Sequence, residues 1–373
     1  MANTNLSAAK NAKNDEFYTQ FNDIQKEVNA YTEYNPDVFR GKTVICPCDD
    51  PEWSNFTKFF AQNFDFFGLK KLISTSYAYD SKNPKPDFDW QPTLFETENP
   101  NYDALKSPKH GKIFTLTDQE EPPRDINKLQ WRYLEGDGDF RSREVTELLK
   151  EADIVVTNPP FSLFREYIAQ LIHFGKKFLI LGNKNLITKK EIFPLFQENK
   201  VWIGVTPMSR DLLFELPREL ADEFVATGKA GSKYKAVGGR IFGRSPSIWY
   251  TNLDHRKRHE ELILFRSYSP EAYPHYCNYD AIEVSKTEDI PCDWDGLMGV
   301  PITFMDKYNP DQFEILGVSS ELARATPEIK SWYLAQPEQG HVRTGSDAFY
   351  YWRTPTELVR TYDRIVIRRR KAT

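Results

Sequence analysis

Between Lys42 and Val205 the chain repeats one pattern, a short apolar run rich in β-branched residues followed by a stretch with apolar residues at helical spacing. Lys42 to Cys46, Lys71 to Tyr77, Trp131 to Glu135, Asp153 to Thr157, Lys177 to Leu181 and Val201 to Val205 read as strands. Trp53 to Phe67, Ser142 to Glu151, Ser162 to Phe174 and Lys189 to Glu198 read as the helices between them. Strands separated by helices return to the same end of a sheet, so the pattern predicts an α/β fold with a doubly wound, mostly parallel, Rossmann-like sheet. Ser247 to Leu253 supplies a further strand after a Gly/Lys-rich insert over residues 206–246. Tyr79 to Lys112 is an irregular excursion rich in Pro, Asn and Asp, and Lys112 to Thr117 forms a short strand inside it. From about Asp254 the rhythm is lost and Tyr, Trp, Pro and charge dominate, which marks a separate C-terminal recognition region over residues 254–373.

Ordered after one of these strands is the motif that carries chemistry. Asn158-Pro159-Pro160-Phe161 follows the run Ile154-Val155-Val156-Thr157 and precedes a helix patterned by Phe164, Tyr167, Ile168 and Leu171. It therefore sits at a strand's carboxyl end, where open α/β sheets bind ligands. An exocyclic amine is a poor nucleophile because its lone pair is delocalised into the ring. An Asn side-chain oxygen and a backbone carbonyl can each accept one of its N–H bonds and turn the lone pair toward an incoming methyl group. Two prolines stiffen the loop and contribute no N–H donors. Phe161 offers a flat face for a planar base. The chemistry to which these residue types point is methylation of an amino group, with Asn158, Pro159, Pro160 and Phe161 as the catalytic set.

The donor that such an arrangement implies is S-adenosylmethionine. Pro47-Cys48-Asp49-Asp50-Pro51 follows the first strand and opens the next helix, whose N-terminus favours a carboxylate. Asp49 or Asp50 accepts from the cofactor's ammonium group, or one of them caps the helix. Gly136-Asp137-Gly138-Asp139-Phe140 follows another strand, where Asp139 accepts from the cofactor's adenine amino group and Phe140 packs on its ring; a plain Asp/Gly turn has the same composition. Asp15 to Gln20 is mixed aromatic and polar, without a clear period.

Composition narrows the setting. No apolar run approaches the roughly 20 residues needed to cross a bilayer, and Met1 to Asn14 lacks a secretory signal's apolar core and reads as a loose arm. The expected location is the cytoplasm. Cys46, Cys48, Cys277 and Cys292 suit a reducing compartment. Cys46-Pro47-Cys48 has no matching second ligand pair, so no metal is expected. A net charge of −5 does not advertise a nucleic-acid binder, but phosphate contact depends on local clusters, and His255-Arg256-Lys257-Arg258-His259 and Arg368-Arg369-Arg370-Lys371 are two.

With these elements in order, the chain resembles the EcoRI-type adenine-specific DNA methyltransferases. The resemblance rests on Asp15-Glu16-Phe17-Tyr18-Thr19-Gln20, Cys48-Asp49-Asp50-Pro51, the block from Asp153 to Tyr167, Gly182-Asn183-Lys184-Asn185, Trp249-Tyr250-Thr251-Asn252-Leu253-Asp254-His255 and Gly299-Val300-Pro301-Ile302-Thr303-Phe304. It implies a seven-stranded methyltransferase sheet within residues 1–253, S-adenosylmethionine as donor and N6 of adenine in double-stranded DNA as acceptor. It also implies that Phe17, Tyr18, Thr19, Cys48, Asp49, Asp50 and Pro51 serve the cofactor. The chain departs from the wider superfamily at two points, since the loop after the first strand holds no glycine and the second strand closes Ser74-Thr75-Ser76-Tyr77 without an acidic residue. The ribose contact is therefore not legible in the chain, and Tyr77 stands only as a candidate cofactor contact.

A paired adenine must leave the helix to reach Asn158, and flipping costs a few kcal/mol that DNA contacts must recover. Lys184, Asn185, Lys233, Lys235, Arg240, Tyr250, Arg256, Lys257 and Arg258 are the candidates for those contacts. An RNA adenine methyltransferase, a protein glutamine methyltransferase and a catalytically silent nucleic-acid-binding protein share parts of the pattern. The large aromatic and basic C-terminal region favours DNA. The recognition sequence and a cognate restriction endonuclease, acting separately, are not legible in the chain.

Overall fold

The structure, a computed structural model, describes residues 19–51, 54–78, 97–119, 131–210, 212–215, 234–237, 240–335 and 347–370. The chain divides into two compact units, residues 1–184 with 204–255 and residues 185–203 with 256–373.

Seven strands of the central sheet lie in the first unit: β1 (Thr43–Cys46), β2 (Lys71–Thr75), β3 (Lys112–Thr117), β4 (Trp131–Tyr133), β5 (Ile154–Thr157), β6 (Lys177–Asn183) and β11 (Ser247–Thr251). They pair in the order β4-β3-β2-β1-β5-β6-β11. The pairs β1/β2, β1/β5 and β5/β6 are parallel, with Val44 opposite both Leu72 and Ile154. Strand β11 runs antiparallel to β6. One expectation changes here. Lys112–Thr117 is a full member of the central sheet, antiparallel to both β2 and β4. Strand β4 therefore points the same way as β2, and its carboxyl end joins those of β1, β2 and β5.

Strand side chains alternate between two buried faces. On one face Val44, Cys46, Leu72, Ile154, Val156, Leu179 and Trp249 join Phe56, Phe59 and Phe60 in a single core with Ile24, Val28 and Tyr31. The last three come from helix Phe21–Tyr34, which the sequence pattern did not reveal. The other face buries Ile45, Ile73, Val155, Phe178 and Ile180 as completely. Each such side chain contributes about 1.5–3 kcal/mol. Helix Phe21–Tyr34 is anchored by Glu27, a fully buried carboxylate that accepts from the main-chain N–H groups of Val205 and Thr206 at 2.7 and 2.9 Å and from the Thr206 hydroxyl at 2.6 Å. This fixes the start of the insert, within which β8 (Leu212–Glu215), β10 (Arg240–Ser245) and β9 (Tyr234–Val237) form an antiparallel sheet in that order.

Burial of both faces corrects the place of Tyr250. It is fully buried in β11, its ring 4.9 Å from that of Phe164, and its hydroxyl donates to the Asn183 carbonyl at 2.8 Å. It is a core residue and cannot touch DNA.

The second unit carries a sheet ordered β12-β13-β17-β14, made of β12 (Ile282–Glu283), β13 (Met298–Pro301), β17 (Arg364–Arg369) and β14 (Phe313–Val318). Strands β15 (Tyr350–Thr354) and β16 (Glu357–Arg360) form a separate hairpin. Arg364 at the start of β17 grips the buried Glu283 of β12 through Nε and Nη2, and Tyr276 donates to the same carboxylate. The expected helix Lys189 to Glu198 shortens to Phe193–Gln197 and belongs to this unit, where Gln197 Nε2 donates to the Leu316 carbonyl at 2.9 Å. Of the expected strand Val201 to Val205 only β7 (Trp202–Ile203) forms.

Candidate active site

Four loops leave the carboxyl ends of parallel strands on one edge of the first unit's sheet: residues 47–51 after β1, 76–78 after β2, 134–140 after β4 and 158–161 after β5. The glycine-free loop after β1 is pinned by hydroxyls of β2. Ser74 Oγ donates to the Asp49 carbonyl at 2.6 Å and is itself bonded to Thr57, and Thr75 Oγ1 donates to the Pro47 carbonyl at 2.9 Å. The Asp49 N–H donates to the Thr75 carbonyl. These bonds do the work that a glycine turn would otherwise do, and they explain why β2 ends in hydroxyl residues.

Ser54, not Asp49 or Asp50, caps helix Asn55–Gln62, accepting from Phe56 N at 3.1 Å. Asp49 instead turns inward. Its carboxylate accepts from Ser54 Oγ at 2.7 Å, from Thr157 Oγ1 and from the main-chain N–H of Asn158. Burial pushes Asp49 up to about 6, and the three donors hold it from rising further. Asp50 stays half-buried and pairs with the nearly buried Lys112 at 3.7 Å.

Asn158 follows Thr157, the last residue of β5, so the parallel pairing of β1 with β5 sets its distance from the β1 loop. Its side-chain oxygen is buried. Pro159 is buried, Pro160 has φ −55° and ψ 123°, and the half-buried Phe161 begins a turn that leads into helix Phe164–His173. From that helix the fully buried Tyr167 packs edge-on against Phe140, ring centroids 5.0 Å apart. Its hydroxyl lies in the field of Cys46, Cys48 and Asp49.

The loop after β4 packs tightly beside Tyr77. Ala78 N donates to the Asp137 carbonyl at 2.6 Å, and a Cβ on Gly138, whose φ is +81°, would overlap the Ser76 carbonyl. Asp139 is not a bare acceptor. Arg141 Nε reaches its Oδ1 at 2.8 Å and Nη2 its Oδ2 at 2.6 Å, and this pairing holds Asp139 below the usual carboxylate range. Phe140 is buried, with Gln170 Nε2 donating to its carbonyl.

Known proteins resemble the chain over nearly its whole length. The family described as Adenine-specific methyltransferase EcoRI matches residues 5–370. The chain belongs to this family. Among its relatives is the Type II methyltransferase M.EcoRI of Escherichia coli, 43% identical over 83% of this chain and 88% of that protein. The Type II methyltransferase M.MpnI of Mycoplasma pneumoniae is 34% identical over 98% of both chains. M.MgeORF184P of Mycoplasma genitalium, also a Type II methyltransferase, is 35% identical over 91% of this chain and 93% of its own length. No solved structure matches the chain.

Thr19 Oγ1 and Tyr167 Oη are buried and find no hydrogen-bond partner among the described residues. An ordered water, an ion or a polar ligand can satisfy buried atoms in that state. Thr19 is tied to the start of helix Asn55–Gln62 through its carbonyl, which accepts from Asn55 Nδ2 at 2.8 Å. Phe17 and Tyr18 lie outside the described residues. Cys48 is half-buried, and Pro51 is buried at the end of the loop.

The DNA-contact candidates divide. Lys233 lies outside the described residues, as do the side chains of Lys235 and Arg240. Lys184 and Asn185 open a turn after β6, Lys184 half-buried and Asn185 exposed. In the second unit Arg256 is exposed, whereas Lys257 pairs with Asp306 at 3.6 Å and Arg258 stacks 3.7 Å from the centre of the Trp202 ring. Arg368 and Arg369 pair with Glu314 and Asp295.

Sequence reasoning missed Ser54, Thr157, Tyr167, Arg141 and Lys112. Ser54 carried a signal, a serine at the head of the expected helix Trp53 to Phe67, which in the structure begins at Asn55. Thr157 was the single polar residue of the run Ile154 to Thr157. Tyr167 read only as core, and nothing local announced that Arg141 would claim Asp139 or that Lys112 would meet Asp50.

Among the described residues no group of His, Cys, Asp and Glu is placed to hold a metal, and no helix is long and apolar enough to cross a membrane.

Proposed function

We propose that this chain is a site-specific DNA adenine N6-methyltransferase that uses S-adenosylmethionine. The observation that carries the reading is Asn158-Pro159-Pro160-Phe161 at the carboxyl end of β5, bonded through Asp49 to the loop after β1, in a chain that matches the family over residues 5–370. Bound S-adenosylmethionine supplies an electrophilic methyl group. Thr19, Cys48, Pro51, Tyr77, Phe140 and Tyr167 are the described residues that would hold it, with Asp50 beside them. Asn158 accepts one N–H of the adenine amino group through its side-chain oxygen, a prolyl carbonyl accepts the other, and Phe161 stacks on the ring. The nitrogen lone pair is thereby turned toward the methyl group. No side chain with a shifted pKa is needed to remove a proton before transfer.

Designation of the relatives as Type II methyltransferases favours DNA over RNA or protein as substrate. The target adenine flips out of the duplex, and Lys184, Asn185 and Arg256 are the described candidates for contacts that offset the few kcal/mol of flipping. Nucleoside mass spectrometry of duplex DNA treated with the protein and cofactor should find N6-methyladenine. Asn158→Ala should remove the product while calorimetric titration still detects cofactor binding. N4-methylcytosine alone, or methylated RNA or protein alone, would overturn the assignment.

A further inference from the structure

Asp49 holds an acidic position directly after β1, where a carboxylate would be expected to meet the cofactor's ammonium group. Its surroundings indicate another role. Both carboxylate oxygens are turned into the protein, with Ser54 Oγ on Oδ1 and Thr157 Oγ1 on Oδ2. The third donor is the Asn158 main chain. These donors come from three elements: the cap of helix Asn55–Gln62, the end of β5 and the first residue of the Asn-Pro-Pro-Phe loop. The residue is buried, so each bond is made away from water, where a charge-assisted hydrogen bond counts for most.

We propose that Asp49 is a positioning residue for methyl transfer, whose carboxylate locks the Asn158 loop in register with the loop after β1 instead of binding the cofactor. It rests on the reading of Asn158 as the group that orients the acceptor amine. Only the ionised carboxylate accepts from all three donors at once, because protonation turns one oxygen into a donor that faces another donor. The neighbours that set its ionisation are Asp50 beside it in the loop, Cys46 and Cys48 of the same segment, and Tyr167 from helix Phe164–His173. Burial holds Cys46 and Tyr167 well above their ordinary values and keeps them neutral across the working range. Asp49 itself is pushed up to about 6. Turnover is therefore lost as pH falls through that value.

The test compares wild type with Asp49→Asn, Thr157→Val and Thr157→Ser in steady-state methylation of duplex DNA across pH 5 to 9, with calorimetric titration of S-adenosylmethionine alongside. Asp49→Asn should lower kcat by up to about 100-fold, the scale of a 1 Å misplacement at a reacting centre. It should leave cofactor affinity nearly intact and abolish the acid limb of the kcat profile. Thr157→Val removes one donor to the ionised form, so its acid limb should move to higher pH, and Thr157→Ser should return it. Asp49→Asn that loses cofactor affinity with kcat unchanged would identify Asp49 as a ligand of the cofactor and overturn the proposal. So would an acid limb that neither Thr157→Val nor Asp49→Asn moves. Failure of the functional reading is separately visible, since wild type would then form no N6-methyladenine at any pH.

Discussion

At the scale of the residue, Asp49 links the site to folding stability as well as to turnover. Burial raises its pKa from the ordinary carboxylate value to about 6, so the folded protein binds this proton more tightly than the unfolded chain does. Its contribution to stability is greatest below the unfolded pKa, declines as pH rises through about 6 and is a cost at neutral pH. Two pKa units correspond to on the order of 3 kcal/mol. Asp49→Asn should therefore flatten the decline in unfolding free energy between pH 4 and 7, as measured by denaturant titrations at a series of pH values. A wild-type curve that rises over that interval in step with the variant's would show that Asp49 is not the group responsible. Glu27 belongs to the same class, a buried carboxylate kept by donors from the segment it anchors, but it serves the architecture and has no part in the site.

Among the elements, β3 alters the sheet most. An antiparallel strand between β2 and β4 brings Gly111 and Lys112 to the carboxyl edge, so that Lys112 meets Asp50 and the Ser76 carbonyl meets two glycines, Gly111 and Gly138. At Gly138 the positive φ and the contact with Ser76 both exclude a side chain. Gly138→Ala should destabilise the protein by about 2–3 kcal/mol and weaken cofactor binding, because the displaced segment carries Asp139 and Phe140. Thermal unfolding and calorimetric titration measure the two effects; a variant with wild-type cofactor affinity would separate the loop after β4 from the cofactor. The sequence showed β3 as a strand but not its partners, because the excursion between β2 and β3 is far longer than a hairpin loop and scatters its Pro, Asn and Asp turn signals along its length.

For the whole molecule, an acidic chain that binds DNA must place its positive charge locally. Of the cluster Arg256 to Arg258, only Arg256 extends into solvent, its Nε 4.0 Å from the exposed Glu260. Arg256→Ala should lower the magnitude of the log-affinity versus log-salt slope by about 0.9 without changing thermal stability. Arg258→Ala should cost about 1–2 kcal/mol through the lost contact with Trp202. Salt titrations of DNA binding together with thermal melts distinguish these effects, and an unchanged slope for Arg256→Ala would move the DNA-binding surface elsewhere. The division of the chain also belongs to this scale. Residues 185–203 leave the expected parallel alternation and join the second unit.

What the sequence by itself determined is whatever local pattern encodes. Alternating strands and helices over residues 42–183 and a strand at Ser247 dictated the class of the sheet, and Asn158-Pro159-Pro160-Phe161 at a strand's end is the local pattern on which the proposed chemistry rests. Periodicity and loop stiffness are properties of neighbouring residues, so both are legible in the order of the amino acids alone. Only the tertiary structure decided which side chains meet. Asp49 and Thr157 stand 108 positions apart and Glu27 and Thr206 179, and each pair becomes a hydrogen bond only once distant segments are packed together. Tyr250 stands among the DNA-contact candidates in the sequence, and burial of both faces of β11 places it in the core. Arg258 looked like free charge until the fold laid it over Trp202. A side chain's type limits the bonds it can make, and long-range packing selects among them.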